Sequence, residues 1–187
     1  MIKDDLRIPD MVVPRVLDID FEGLAKQGRF YYLFDLDNTL VRRNENLPHW
    51  PVAMKIRQAQ TAGWMHGLVI ISNVGVDKKW LIAGSSRIAR VRLAAEELRG
   101  EYVACVFPIL KPNPKPFWKA IEVMGARPEQ VVVVGDQISK DIAGGNRVGA
   151  FTILVDPLGP DMWLTAIIRH FKEQKIRARL GTSTGAA

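Results

Sequence analysis

At 187 residues the chain has the usual length of one domain and is short for two. Hydrophobic residues make up 48% and charged residues 25%, which describes one sizeable core under a solvated surface and excludes a chain disordered throughout. A single cysteine, Cys105, excludes an intrachain disulfide and a cysteine-based zinc cluster, and the net charge of +6 suits an anionic partner: nucleic acid, a phosphorylated metabolite or an anionic membrane.

Residues 1–29 read as a wrapping arm, because Pro9 and Pro14 limit regular structure. The opening Met1-Ile2-Lys3-Asp4-Asp5 carries acids and no apolar stretch, so no signal peptide is expected. Strands are then predicted at Tyr31–Asp35, Gly67–Ser72, Val103–Phe107, Val131–Gly135 and Phe151–Val155, each short, apolar and largely without alternation, as in strands covered on both faces. Helices are predicted between them at about 50–62, 86–99, 115–125 and 139–148. A last helix is expected at 160–180, opened by Pro157 and Pro160, and a frayed tail at 181–187. The longest aliphatic run, Leu68-Val69-Ile70-Ile71, is too short to span a bilayer, so a cytoplasmic protein is expected. The β-α alternation implies one doubly wound α/β domain over 1–180, built on a mostly parallel sheet of about five strands.

In such sheets ligands bind beyond the carboxyl ends of the strands. Strand one ends in Asp35-Leu36-Asp37-Asn38-Thr39, strand two in Ser72-Asn73 and strand four in Gly135-Asp136, while the loop after strand three brings Lys111. Two carboxylates at i and i+2 past a buried strand raise one another's pKa unless a cation lies near. Magnesium answers that need, since it takes oxygen ligands and keeps positions open for phosphate. Asp35 is then the candidate nucleophile, and Asp37 the acid that protonates the leaving oxygen and later deprotonates water. Ser72 would hydrogen-bond a phosphoryl oxygen and Lys111 would neutralise the transferring group. Asp136 would add a metal ligand, and Asp141 would hold a metal-bound water or orient Lys111. Lys115 competes with Lys111 for its role. An EF-hand reading of Asp35–Thr39 fails, because Leu40 stands where that loop needs glycine and Asn46 where it needs glutamate.

These segments resemble, in order, the four motifs of the haloacid dehalogenase (HAD) superfamily: Asp35-Leu36-Asp37-Asn38-Thr39-Leu40, Ile71-Ser72-Asn73, Lys111-Pro112, and Gly135-Asp136 followed by Asp141. The second acid, Asp37, is the mark of the phosphatase branch. The resemblance implies magnesium as cofactor, Asp35, Asp37, Asp136 and Asp141 around the metal, and Asn38, Thr39 and Asn73 about the substrate. The 34 residues between Asp37 and Ser72, and the 37 between Asn73 and Lys111, leave no room for a folded cap.

A narrower resemblance rests on Asp18-Ile19-Asp20, on Phe34 through Val41, and on Gly135-Asp136-Gln137 with Asp141-Ile142 and Gly144-Gly145-Asn146-Arg147. It points to the capless phosphatidylglycerophosphatase-type branch. That resemblance implies an anionic phospholipid substrate at a membrane surface, with Asn146 and Arg147 helping to build the site. The chain departs from the branch at Lys140, where Thr is usual, and in Val76–Ser86, which reads as an inserted loop. The stripe Trp163, Leu164, Ile167, Ile168 and Phe171, with Arg169, Lys172, Lys175, Arg177 and Arg179 beside it, would pack on the sheet and leave a basic end for a membrane's inner face. Rival expectations are a capless phosphatase of a soluble ester, a nucleic-acid end or a phosphoprotein, and a binding subunit without activity. No nucleic-acid module is visible, and the retained acids and lysine speak against the inactive subunit.

Overall fold

A computed structural model of the chain describes residues 5–42, 45–74 and 80–159, the last of these by backbone alone up to 86. The expected helix at 160–180 and the tail at 181–187 lie outside the described residues.

The five expected strands form, at β2 (Tyr31–Phe34), β3 (Gly67–Asn73), β4 (Glu101–Cys105), β5 (Val131–Gly135) and β6 (Phe151–Val155). A sixth, β1 (Met11–Val13), comes from the arm and pairs with β6, so the sheet has six strands rather than about five. The order is β1-β6-β5-β2-β3-β4, and every pairing is parallel. The arm also holds a short helix, α1 (Phe21–Lys26), capped by Asp20, whose carboxylate accepts from the Gly23 amide at 2.9 Å.

Burial on both faces explains the uninterrupted apolar strands. One face carries Tyr32, Phe34, Ile70, Val132 and Val134 against Phe21 and Leu24 of α1, Ile56 and Ala59 of α2 (Trp50–Thr61), and Val91, Ala94 and Leu98 at α3 (Trp80–Glu97) and its end. The other carries Leu33, Val69, Ile71 and Val133 against Phe117, Ala120 and Ile121 of α4 (Pro114–Val123). Cys105 is buried on this second side, and its thiol is pushed up to about 11, chiefly by burial. It is an inert packing residue.

Three expected elements move. The strand placed at Val103–Phe107 runs Glu101–Cys105, leaving Val106 and Phe107 beyond its end. The helix placed at 86–99 begins at Trp80, so the latter half of the presumed 76–86 loop is helical, while 75–79 lies outside the described residues. The helix placed at 139–148 divides into a π-helical turn, Ile138–Ile142, and a short α5, Ala143–Arg147. Close packing fixes α5: a Cβ on Gly144 would lie 2.2 Å from the Phe117 ring. Among the described residues, no helix is long and apolar enough to cross a membrane, and no cap domain covers the strand ends.

Candidate active site

The sheet order dictates where side chains converge. The chain runs outward from β2 through β3 to β4, then returns to β5 on the other side of β2, so the topological switch point falls between β2 and β5. Phe34 is in register with Val134, and the Asp35 amide donates to the Val134 carbonyl at 2.9 Å. Asp35 and Asp136 therefore leave neighbouring strands side by side. Ser72 ends up buried near the end of β3.

After Asp35 the backbone folds into a tight loop. The amides of Leu40 and Val41 both reach back to the Leu36 carbonyl at 3.0 Å, and Asn38 takes φ 62° while its own amide donates to the Val41 carbonyl at 2.8 Å. Asparagine tolerates that left-handed conformation better than most residues. Thr39 is buried in the same loop with its hydroxyl lacking a hydrogen-bond partner.

Lys111 is the centre of the charge arrangement. It is 5% exposed, and its ammonium donates to Asp35 Oδ1 at 2.5 Å, Asp141 Oδ1 at 2.7 Å and the Ile71 carbonyl at 3.0 Å. Those three bonds use all three ammonium protons. The backbone of Lys111 is clamped by Asn73, whose side-chain oxygen accepts from the Lys111 amide at 2.9 Å. Lys115 is exposed at the start of α4, whereas Lys111 is buried against the acids. Asp141 is held from its other side, Oδ2 accepting from the Gln137 amide at 3.1 Å. Gly135 makes this approach possible, since a Cβ there would stand 2.5 Å from the Asp141 carboxyl.

Burial alone would push the Asp35 carboxyl up. Lys111 opposes that push and Asp141 adds to it, leaving Asp35 at about 7. Burial acts to lower the Lys111 ammonium, but Asp141 and Asp35 outweigh it and raise it. Carboxylate oxygens of Asp35, Asp136 and Asp141 lie within 4.8 Å of one another, all three residues buried. Asp35 Oδ2 is buried with no hydrogen-bond partner. An all-oxygen set of three acids with an unsatisfied carboxylate oxygen fits a small hard cation such as magnesium.

Three expected residues sit differently. The Asp37 carboxylate is not in the acid cluster: it is 43% exposed and accepts from Arg90 of α3 at 2.6 Å. It stands on the open side of the loop, which suits a proton carrier better than a buried ligand. The Asn146 amide donates to the carbonyls of Leu6 at 2.8 Å and Ile8 at 2.9 Å, and its oxygen accepts from Thr152 at 3.1 Å. Asn146 therefore ties the arm to α5 and β6, with both amide protons and one acceptor site of its oxygen engaged. Arg147 donates to the Pro112 carbonyl at 3.0 Å, bracing the loop that carries Lys111. Arg90 itself had no signal in the sequence, being one arginine among several on a predicted helix. Its Nε also donates to the Glu45 carbonyl at 2.7 Å.

Residues 109–157 match a family model described as HAD-hydrolase-like. Over 177 residues the chain is 30% identical to the protein named Probable phosphatase YqeG of Bacillus subtilis, covering 91% of this chain and 90% of that one. It is 28% identical over 152 residues to phosphatidylglycerophosphate phosphatase 1, chloroplastic/mitochondrial, of Arabidopsis thaliana, covering 81% of this chain and 41% of that one. Among solved structures, a HAD-like phosphatase from Mesorhizobium loti superposes with a TM-score of 0.52 at 19% identity, covering 82% of this chain and 78% of that one. That likeness concerns the fold.

Proposed function

The chain belongs to the HAD superfamily and is a phosphatase of it, and on that premise we propose that it removes the terminal phosphate of phosphatidylglycerophosphate through an aspartyl-phosphate on Asp35. The observation that carries the chemistry is the Asp35–Lys111–Asp141 chain of contacts at the switch point of the sheet. The lipid substrate is supported by the similarity to the Arabidopsis phosphatase, by the net charge of +6 and by strand ends without a cap domain among the described residues.

In the first step an oxygen of ionised Asp35 attacks phosphorus and the bond from phosphorus to the glycerol oxygen breaks. Asp37 gives its proton to that oxygen, and phosphatidylglycerol leaves. In the second step Asp37 takes a proton from water, the water oxygen attacks the acyl phosphate, and inorganic phosphate departs with Asp35 restored. Lys111 keeps Asp35 oriented in the resting site and exchanges that bond for a phosphoryl oxygen as charge builds there. Ser72 donates to a second phosphoryl oxygen. Asn73 acts through the Lys111 backbone rather than on substrate, and Arg90 holds Asp37 outside the acid cluster. Asp35, Asp136 and Asp141 would hold magnesium, which screens Asp35 from an anionic substrate when bound.

The test is phosphate release from phosphatidylglycerophosphate in mixed micelles with magnesium, wild type against Asp35→Asn, beside a panel of soluble phosphate esters and phosphorylated oligonucleotides. Lipid turnover that requires both magnesium and Asp35 is expected. Strong turnover of another panel member with the lipid untouched would discard the lipid and keep the mechanism.

A further inference from the structure

Of the nine large apolar side chains exposed among the described residues, five lie on or at the end of connections that leave the strand ends, including the two most exposed, Phe107 and Trp50. After β4 the chain passes through Val106, Phe107 and Ile109, exposed by 48%, 66% and 37%, and then reaches buried Lys111. After β2 it passes through Leu47, 49% exposed, to Trp50, 64% exposed at the first position of α2. The His49 amide donates to the Leu40 carbonyl at 2.8 Å, which ties this second connection to the loop bearing Asp37. Because every strand runs parallel, both connections lie on the edge where Asp35 and Lys111 sit. Large side chains this exposed cost free energy in water, and a gathering of them on one rim marks a contact surface.

Charge says which surface. The start of α4 lies on the same rim, because it follows Lys111 closely. There Lys115, Trp118 and Lys119 share one exposed face at i, i+3 and i+4, with Trp118 47% exposed, while Phe117, Ala120 and Ile121 of the same helix face the core. Aromatic rings flanked by lysines are the side chains that settle at the headgroup level of a bilayer, rings inward and ammonium groups toward phosphate. The apolar residues stand on separate loops around the mouth rather than lining one groove, which fits a fluid, deformable surface.

We propose that this rim, with Phe107 at its tip, docks on an anionic lipid bilayer and holds the acid cluster over the headgroup plane. The inference rests on the lipid reading of the substrate and adds the surface by which the site reaches it. The residues of that surface are other than those of the basic stretch 169–179, which lies outside the described residues.

Vesicle sedimentation tests it without any turnover. The full chain is mixed with sucrose-loaded vesicles of equal parts phosphatidylglycerol and phosphatidylcholine, and with vesicles of phosphatidylcholine alone. Wild type is expected to partition onto the anionic vesicles and to be loosened by salt. Val106→Ser with Phe107→Ser in one chain should bind at least about tenfold more weakly at an unchanged Tm, from the apolar area removed. Lys115→Glu with Lys119→Glu should erase the preference for anionic over neutral vesicles. Binding of the serine double variant within about twofold of wild type overturns the proposal, on the same scale of apolar transfer. Failure of the wild type to bind anionic vesicles at all also overturns it, and hands the rim to an acidic protein partner. The two readings fail separately. A wild type that hydrolyses the lipid in micelles but ignores vesicles refutes the docking surface, and one that binds vesicles but leaves the lipid intact refutes the substrate.

Discussion

Replacing Lys111 with methionine removes the buried ammonium that contacts Asp35 and Asp141 and keeps most of the side-chain volume. Asp35, Asp136 and Asp141 would then face one another within 4.8 Å with no ammonium between them. Breaking a buried pair from one side costs roughly 3–5 kcal/mol, which for a domain of this size lowers Tm by about 10 °C. The deficit must depend on pH, and its sign can be worked out. Asp35 already stands at about 7 with Lys111 pulling it down against burial. Without the lysine it rises further. A carboxyl whose folded pKa lies above its unfolded value holds more protons when folded, so stability falls as pH rises from its unfolded pKa through the folded one. The loss in Lys111→Met should accordingly be largest at about pH 8–9 and shrink toward about pH 5, where Asp35 is protonated in the folded forms of both wild type and variant. The assay is thermal unfolding of wild type and variant by circular dichroism in EDTA across that range. Magnesium should stabilise the variant by about 2.7 kcal/mol at a hundredfold excess over its own Kd. A Tm within about 2 °C of wild type, or a deficit that does not change with pH, would refute the account of the lysine as the charge that makes the acid cluster tenable.

Two further substitutions separate structural from chemical roles. Asn146→Ala removes the bonds to Leu6, Ile8 and Thr152 and should cost about 1–3 kcal/mol, read as a lowered Tm, with the KM for a phosphate ester as in wild type. A raised KM at unchanged Tm would return Asn146 to the substrate. Gly135→Ala places a methyl 2.5 Å from the Asp141 carboxyl, so Asp141 must move away from Lys111. A destabilisation of about 1–3 kcal/mol and weaker magnesium binding by titration calorimetry are expected, and magnesium affinity equal to wild type would count against Asp141 as part of the cation site.

The elements that were plain in the sequence are those whose pattern is local. Val131–Gly135 is an unbroken apolar run because both its faces are covered, and Asp35, Lys111 and Asp136 stand out because polar residues follow such runs at strand ends. The strand at Met11–Val13 was hidden because three residues between prolines carry no period, and its pairing with β6 makes it a strand. The first turns of α3 were read as loop because Gly84, Ser85 and Ser86 are poor helix formers. Asn146 was placed at the site by the family resemblance, and its bonds to the carbonyls of Leu6 and Ile8 were not legible because those partners are remote in sequence and carry no side-chain signal. Arg90 was invisible for the same reason: its meaning comes from Asp37, which only the fold brings to it. Backbone carbonyls and tertiary neighbours decided each of these.

The order of the strands also sets when this protein acquires its chemistry during synthesis. A ribosome that has released β2, β3 and β4 has delivered Asp35, Asp37, Ser72 and Lys111, yet the lysine still lacks Asp141, and Asp35 still lacks the β5 backbone on which its own amide is anchored. The half-made sheet carries Asp35 on an unpaired border. Only when β5 slots in beside β2 and Asp141 follows does the acid set come together, so a chain that ends before β5 lacks the assembled Asp35, Asp136 and Asp141.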